Sequence, residues 1–67
     1  MGSFARLKIR LQESINRIND VSEDLPEYIE EDADVMVINS LLGYAVSNIE
    51  LALKDIRRCE EVADNES

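Results

Sequence analysis

Apolar residues recur along this chain at alternating steps of three and four, the spacing that lines up one face of an α-helix. Phe4, Leu7, Leu11, Ser14, Ile18, Val21 and Leu25 form a first series, with Ile15 widening the stripe and Ser14 its one polar member. A second series, Val35, Ile38, Leu42, Ala45, Ile49, Ala52, Ile56, Cys59 and Ala63, has no polar member. No comparable run alternates with period two, so strands are not expected. The pattern predicts an all-α chain in one domain, 1–67. Its parts are a first helix over about 4–23, a connection over about 24–33, a second helix over about 34–62 and a frayed polar tail over 64–67.

The second series reads as a packing seam whose two heptad positions differ in size. One holds Leu42, Ile49 and Ile56; the other holds Ala45, Ala52 and Cys59 after Ile38. Alternating large and small residues let facing helices approach closely, as in an antiparallel bundle. Val37, Leu41, Tyr44 and Leu51 fall on one flank of this seam, and Val46 and Leu53 on the other. That is more apolar surface than one neighbour covers. The chain supplies one neighbour, its first helix, so a second copy is the expected source of the other. The fold is therefore expected to be an antiparallel helical hairpin assembling into a four-helix-bundle dimer or a higher oligomer. Its interface residues would be Ile38, Leu42, Ala45, Ile49, Ala52, Ile56 and Cys59.

Length makes self-association more pressing. A chain of 67 residues buries only about 60% of its unfolded surface, and the usual staples are missing. One Cys and no His exclude an internal disulfide, zinc sites of the usual ligand sets and His-dependent catalytic dyads and triads. A reducing, cytoplasmic location is expected. Arg6 and Lys8 interrupt the N-terminal stretch where a signal peptide would be apolar, and no uninterrupted apolar run reaches the roughly 18 residues of a spanning helix. No membrane partner is expected. The Met1-Gly2-Ser3 start carries no weight, since such a tripeptide can be a cloning remnant.

The only proline, Pro26, lies in the segment Asp20 to Asp34, which holds eight acids and no base. Pro26 suits the first turn of a short helical piece with Asp24 near its cap, while Asp32 or Asp34 suits the N-cap of the second helix. With Asp32-Ala33-Asp34 in the connection, the pattern resembles the Rop-like helical hairpins, small acidic chains that dimerise into antiparallel four-helix bundles. The resemblance implies that architecture alone. Pro26 and the longer connection depart from a tight two-helix hairpin, and the RNA-binding residues of that family are not carried over.

Charge is segregated along the chain, which has 15 acids, 7 bases and a net charge of -8. Residues 18–53 contain nine acids and no base. A hairpin turns that into an acidic connection end and a mixed open end carrying every base. Arg6, Arg10, Arg17, Lys54, Arg57 and Arg58 could form a phosphate site for nucleic acid or a small nucleotide. Cross-helix salt bridges and solvation compete with that reading, and the overall charge repels polyanions. Glu23, Asp24, Glu27, Glu30, Glu31, Asp32 and Asp34 could instead dock a basic partner or mimic nucleic-acid phosphates. A solvated cap is the plainer alternative.

Smaller constellations carry less. An EF-hand loop beginning at Asp20 would use Ser22, Asp24 and Glu31, but its sixth position is Leu25 where the sharp turn needs glycine. Gly43 costs roughly 1 kcal/mol against Ala inside a helix. With Ser40 and Ser47 it makes a small-residue strip, beside Tyr44 and Asn48, that suits close packing or a groove. Cys59 continues the small positions of the seam and reads as a packed thiol. Glu27 and Glu31 could exchange protons, yet a hairpin offers no second layer to form a cleft. The expectation is a small acidic noncatalytic interaction protein, a regulator, adaptor or inhibitor. It needs no cofactor, associates with itself, and binds a macromolecule that is a protein before it is a nucleic acid.

Overall fold

The computed structural model describes residues 4–66, with side chains through Asn65. The Met1-Gly2-Ser3 start and Ser67 lie outside the described residues. Two helices, α1 (Phe4–Tyr28) and α2 (Asp32–Glu66), account for nearly all of the described chain, which holds no strand. They pack against each other as an all-α hairpin with Cα extents of 55 × 16 × 11 Å. At 25 and 35 residues they run about 37 and 52 Å. The connection is only Ile29, Glu30 and Glu31, so most of α2's extra length projects at the open end.

That connection is shorter than the expected 24–33, and the reason is where Pro26 falls. It lies inside α1 rather than at the start of a separate helical piece. A proline in the last turn removes a single donor, the one that would reach the Ser22 carbonyl, and leaves the turn beyond it free to close. The Ile29 N–H donates to the Leu25 carbonyl at 2.9 Å. The N-cap of α2 also differs from expectation. The Glu31 carbonyl accepts from the N–H groups of Asp34 and Val35, each at 3.1 Å, which makes Glu31 the boundary residue. Asp32 and Asp34 lie within the first turn, where their charge still favours the positive end of the helix dipole. At the other end the expected frayed tail is helical through Glu66.

The seam between the helices drifts from the strict three-four series. A straight helix repeats every 3.6 residues, not 3.5, so residues eighteen apart share one face. Val35 and Leu53 are such a pair, as are Phe4 and Ser22. On α2 the buried side accordingly passes through Leu53, which is 6% exposed, while Ala52 is exposed. On α1 it passes through Ile15, 7% exposed, while Leu7 and Val21 stay in solvent. Leu11, Ile18, Leu25 and Ile29 are half-buried, as are Val35, Ile38, Leu42, Ala45, Val46, Ile49 and Ile56. Ile15 and Leu53 are the only buried apolar side chains among the described residues.

Truncating these two should be disproportionately damaging. Leu53→Ala or Ile15→Ala should cost about 2–4 kcal/mol, against about 1 kcal/mol or less for the half-exposed Leu7→Ala. Urea titrations followed by circular dichroism measure the difference.

Candidate functional site

The expected interface residues share one side of α2. Ile38, Leu42, Ala45, Ile49, Ile56 and Cys59 are half-buried, whereas Ala52 is exposed. The face toward α1 takes most of the seam within a single chain. Left over is a second stripe roughly 150° round the helix. It comprises Val37, Leu41 at 61% exposed, Tyr44 at 70%, Asn48, and Leu51 at 65%, with Met36 exposed beside it. Sequence periodicity had placed Val37, Leu41, Tyr44 and Leu51 on one flank. Met36 belongs to neither three-four series, since it lies in the gap between this stripe and the seam.

Arg6, Arg10, Arg17, Lys54, Arg57 and Arg58 are all exposed, with Arg17 near the middle of α1 rather than at the open end. Lys54, Arg57 and Arg58 line one shallow depression on α2 together with Leu51, Asp55 and Glu61, and no arginine of α1 lines it. Two carboxylates therefore share the basic patch. Asp55 accepts from the Arg58 Nε at 2.8 Å, three residues along the same helix. Hydrogen bonding and attraction from Arg58 hold the Asp55 carboxyl below its ordinary value, and the Arg58 guanidinium is raised in return. Lys8 Nζ reaches Glu60 Oε1 at 2.8 Å across the hairpin, with both side chains about two-thirds shielded from solvent. Periodicity alone could have found Lys8, which sits one turn from both Phe4 and Leu11 on the buried face.

The acidic positions Glu23, Asp24, Glu27, Glu30, Glu31, Asp32 and Asp34 are all exposed, spread over the end of α1, the connection and the first turn of α2. On one side of the hairpin, Gly43 and Ser47 line an open groove with Asn19, Ser22, Glu23, Asn39, Leu42, Val46 and Glu50. Ser40, Tyr44 and Asn48 are not part of it. The Ser40 hydroxyl bonds back to the Met36 carbonyl at 3.0 Å. A Cβ at Gly43 would meet nothing within 4 Å, so close packing inside one chain does not explain that glycine.

Among the described residues, no group of three or more Asp, Glu or Cys side chains gathers as a metal ion would require. Cys59 is a half-buried free thiol whose Sγ accepts from Arg58 Nη2 at 3.6 Å. Part of α2 reaches a mean hydropathy of 1.4 over eighteen residues, long and apolar enough to cross a membrane by length and composition. Any such window includes Asn39, Ser40, Ser47 and Asn48. Comparison with protein-family models, curated proteins and solved structures finds no match to this chain.

Two substitutions probe these local features. Gly43→Ala should stabilise the helix by about 0.5–1 kcal/mol, because the added methyl enters open space and backbone entropy falls; thermal melts measure it. Asp55→Asn tests the surface pair. A carboxyl whose folded pKa lies below the unfolded value stabilises the fold above that value, 3.8, and loses the contribution as pH falls through the folded pKa. The variant should thus be slightly less stable than the parent at pH 7, with the difference shrinking as pH is lowered past 3.8, as urea midpoints across that range would record.

Proposed function

We propose that the chain is a noncatalytic interaction protein that works as a self-associating helical bundle and binds a macromolecular partner. One observation carries this reading: among the described residues the two long helices bury only Ile15 and Leu53, while α2 exposes a second apolar stripe. Surface area gives the scale. The hairpin exposes 5534 Å², whereas a compact monomer of 7.6 kDa is expected to expose about 4,300 Å². The surplus, about 1,200 Å², exceeds the ~800 Å² that each member of a standard protein complex buries. A second copy removes that surplus without requiring any other molecule. In this reading Leu41, Tyr44 and Leu51 hold the assembly, and the half-buried seam residues hold the hairpin.

The assembly leaves a charged surface for the external partner. A net charge of -8 and seven exposed acids around the connection favour a basic protein surface, through steering and specificity more than through affinity. A phosphate ligand at the open end is the weaker alternative, because Asp55 and Glu61 sit among Lys54, Arg57 and Arg58. We assign no cofactor and no catalysis, and we place the protein in the cytoplasm as part of the same reading.

Sedimentation equilibrium at roughly 10–100 μM should give a dimer or larger species, and Leu41→Asp with Leu51→Asp should return it to monomer. A folded monomer throughout that range would overturn the reading. Phosphatidylcholine vesicles should leave the protein in the supernatant, and partitioning into them would make the stripe a lipid-facing surface instead.

A further inference from the structure

Resting on that self-association, we propose that two copies pair α2 against α2 in inverted orientation, in a register fixed by Asp34 of one copy meeting Arg58 of the other. The exposed stripe continues in both directions beyond its apolar centre. Asp34, Val37, Leu41, Tyr44, Asn48, Leu51, Asp55 and Arg58 follow one another at steps of three and four along one side of α2. Its first member is acidic and its last is basic, and both are exposed in the single hairpin. A parallel pairing would set the two acidic connections side by side, nine acids and no base over residues 18–53 of each copy. An inverted pairing instead brings Asp34, at the acidic start of each α2, to the level of Arg58 of the other copy, with Arg57 and Lys54 next along.

Among inverted registers, the stripe selects one. With the two-fold axis level with Val46, Leu41 lies opposite Leu51 of the second copy, and Tyr44 lies opposite Asn48, whose amide can bond the phenol hydroxyl. Asp34 comes level with Arg58, whose guanidinium has donors left after pairing with Asp55. Val37 meets Asp55, a carboxylate already held by its own Arg58. Slipping one heptad toward the N-terminus places Asp34 on Leu51 and Glu30 on Asp55, burying one acid and opposing two. Slipping one heptad the other way places Leu41 on Arg58 and Tyr44 on Asp55. Both slips exchange an apolar or opposite-charge contact for an uncompensated one.

This register also gives α2's surplus length a role. The two or so turns that project past Phe4 run beside the connection of the second copy. Val62, 45% exposed, and Tyr28, 83% exposed, arrive at the same end. The polar groove with Gly43 and Ser47 stays outside the α2–α2 contact.

A charge exchange tests the register, using the full chain and sedimentation equilibrium, with circular dichroism as a check on folding. Asp34→Arg and Arg58→Asp should each weaken the dimer roughly tenfold, and the two together in one chain should restore it. A wild-type dimer that neither single change weakens, or a double variant no better than the singles, would overturn the register and leave self-association intact. A wild-type monomer would sink both. Crosslinking in a Cys59→Ala background keeps the question answerable should the charge variants unfold. Copies of Asn48→Cys lie about 6 Å apart along the axis and should be joined by a short bismaleimide crosslinker, while copies of Val37→Cys lie about 27 Å apart and should not. Equal crosslinking at both positions would indicate a parallel pairing and overturn the proposal.

Discussion

A helix in a two-helix hairpin has one neighbour, and α2 is apolar on more than one side. Everything else about this molecule follows from that mismatch. The face toward α1 is served by a seam of branched aliphatics running from Val35 through Leu53 to Ile56. No side chain of α1 covers the second stripe, because a cylinder of helix can shield only the sector turned toward it. The result is a pair of helices with near-continuous backbone hydrogen bonding and a core of two side chains. Helical propensity stabilises such a structure weakly, since most helical stability in proteins comes from packing. The single hairpin therefore leaves much of its apolar surface without a neighbour.

The hairpin also converts a one-dimensional charge pattern into a three-dimensional one. All seven bases lie outside residues 18–53, so folding back gathers the eight acids of residues 20–34 around the connection and returns every base but Arg17 toward the open end. Within one chain, Lys8 pairs with Glu60 and Asp55 with Arg58. The first lies partly shielded between the helices, and the second lies fully in solvent, where such pairs contribute little. Local neutralisation thus leaves the two ends of the hairpin unlike. A dipolar rod of this kind associates most favourably with its ends reversed, and the same asymmetry disfavours polyanions near the connection.

Periodicity alone makes the helical content, the division into two helices and the excess apolar face of α2 legible. Three details were not, and each has a physical cause. A strict three-four series assumes supercoiling at 3.5 residues per turn. The burial pattern here follows 3.6, which moves the buried line from Ala52 to Leu53 and turns Leu7 and Val21 outward. Pro26 reads as a break because proline terminates helices in general. Its cost depends on how many turns follow, and here α1 ends two residues later. Acid-rich Asp32-Ala33-Asp34 suggests a side-chain cap, whereas the boundary is a backbone one, with the Glu31 carbonyl accepting twice. For the candidate surfaces, exposure of each charged position could be read from the sequence. Whether the basic residues converge could not, since that depends on which side of each helix they occupy. The structure puts Lys54, Arg57 and Arg58 together without the arginines of α1.

Asn48 sharpens the argument about the second stripe. A stripe meant only for adhesion would be apolar at its centre, and replacing Asn48 by leucine would make this one so. A single polar residue among Leu41, Tyr44 and Leu51 lowers affinity, because every register that opposes it with an aliphatic side chain leaves an amide unpaired. That penalty is what separates registers that hydrophobic contact alone would leave nearly equal. With Asn48 opposite Tyr44, the penalty falls on the slipped arrangement, in which Asn48 faces Val37, and spares the level one. The end charges then act in the same direction, with Asp34 and Arg58 meeting only when Asn48 and Tyr44 do. In the proposed inverted pairing, one amide and one ion pair would thus choose among contacts that an oil-like surface alone would make indiscriminately.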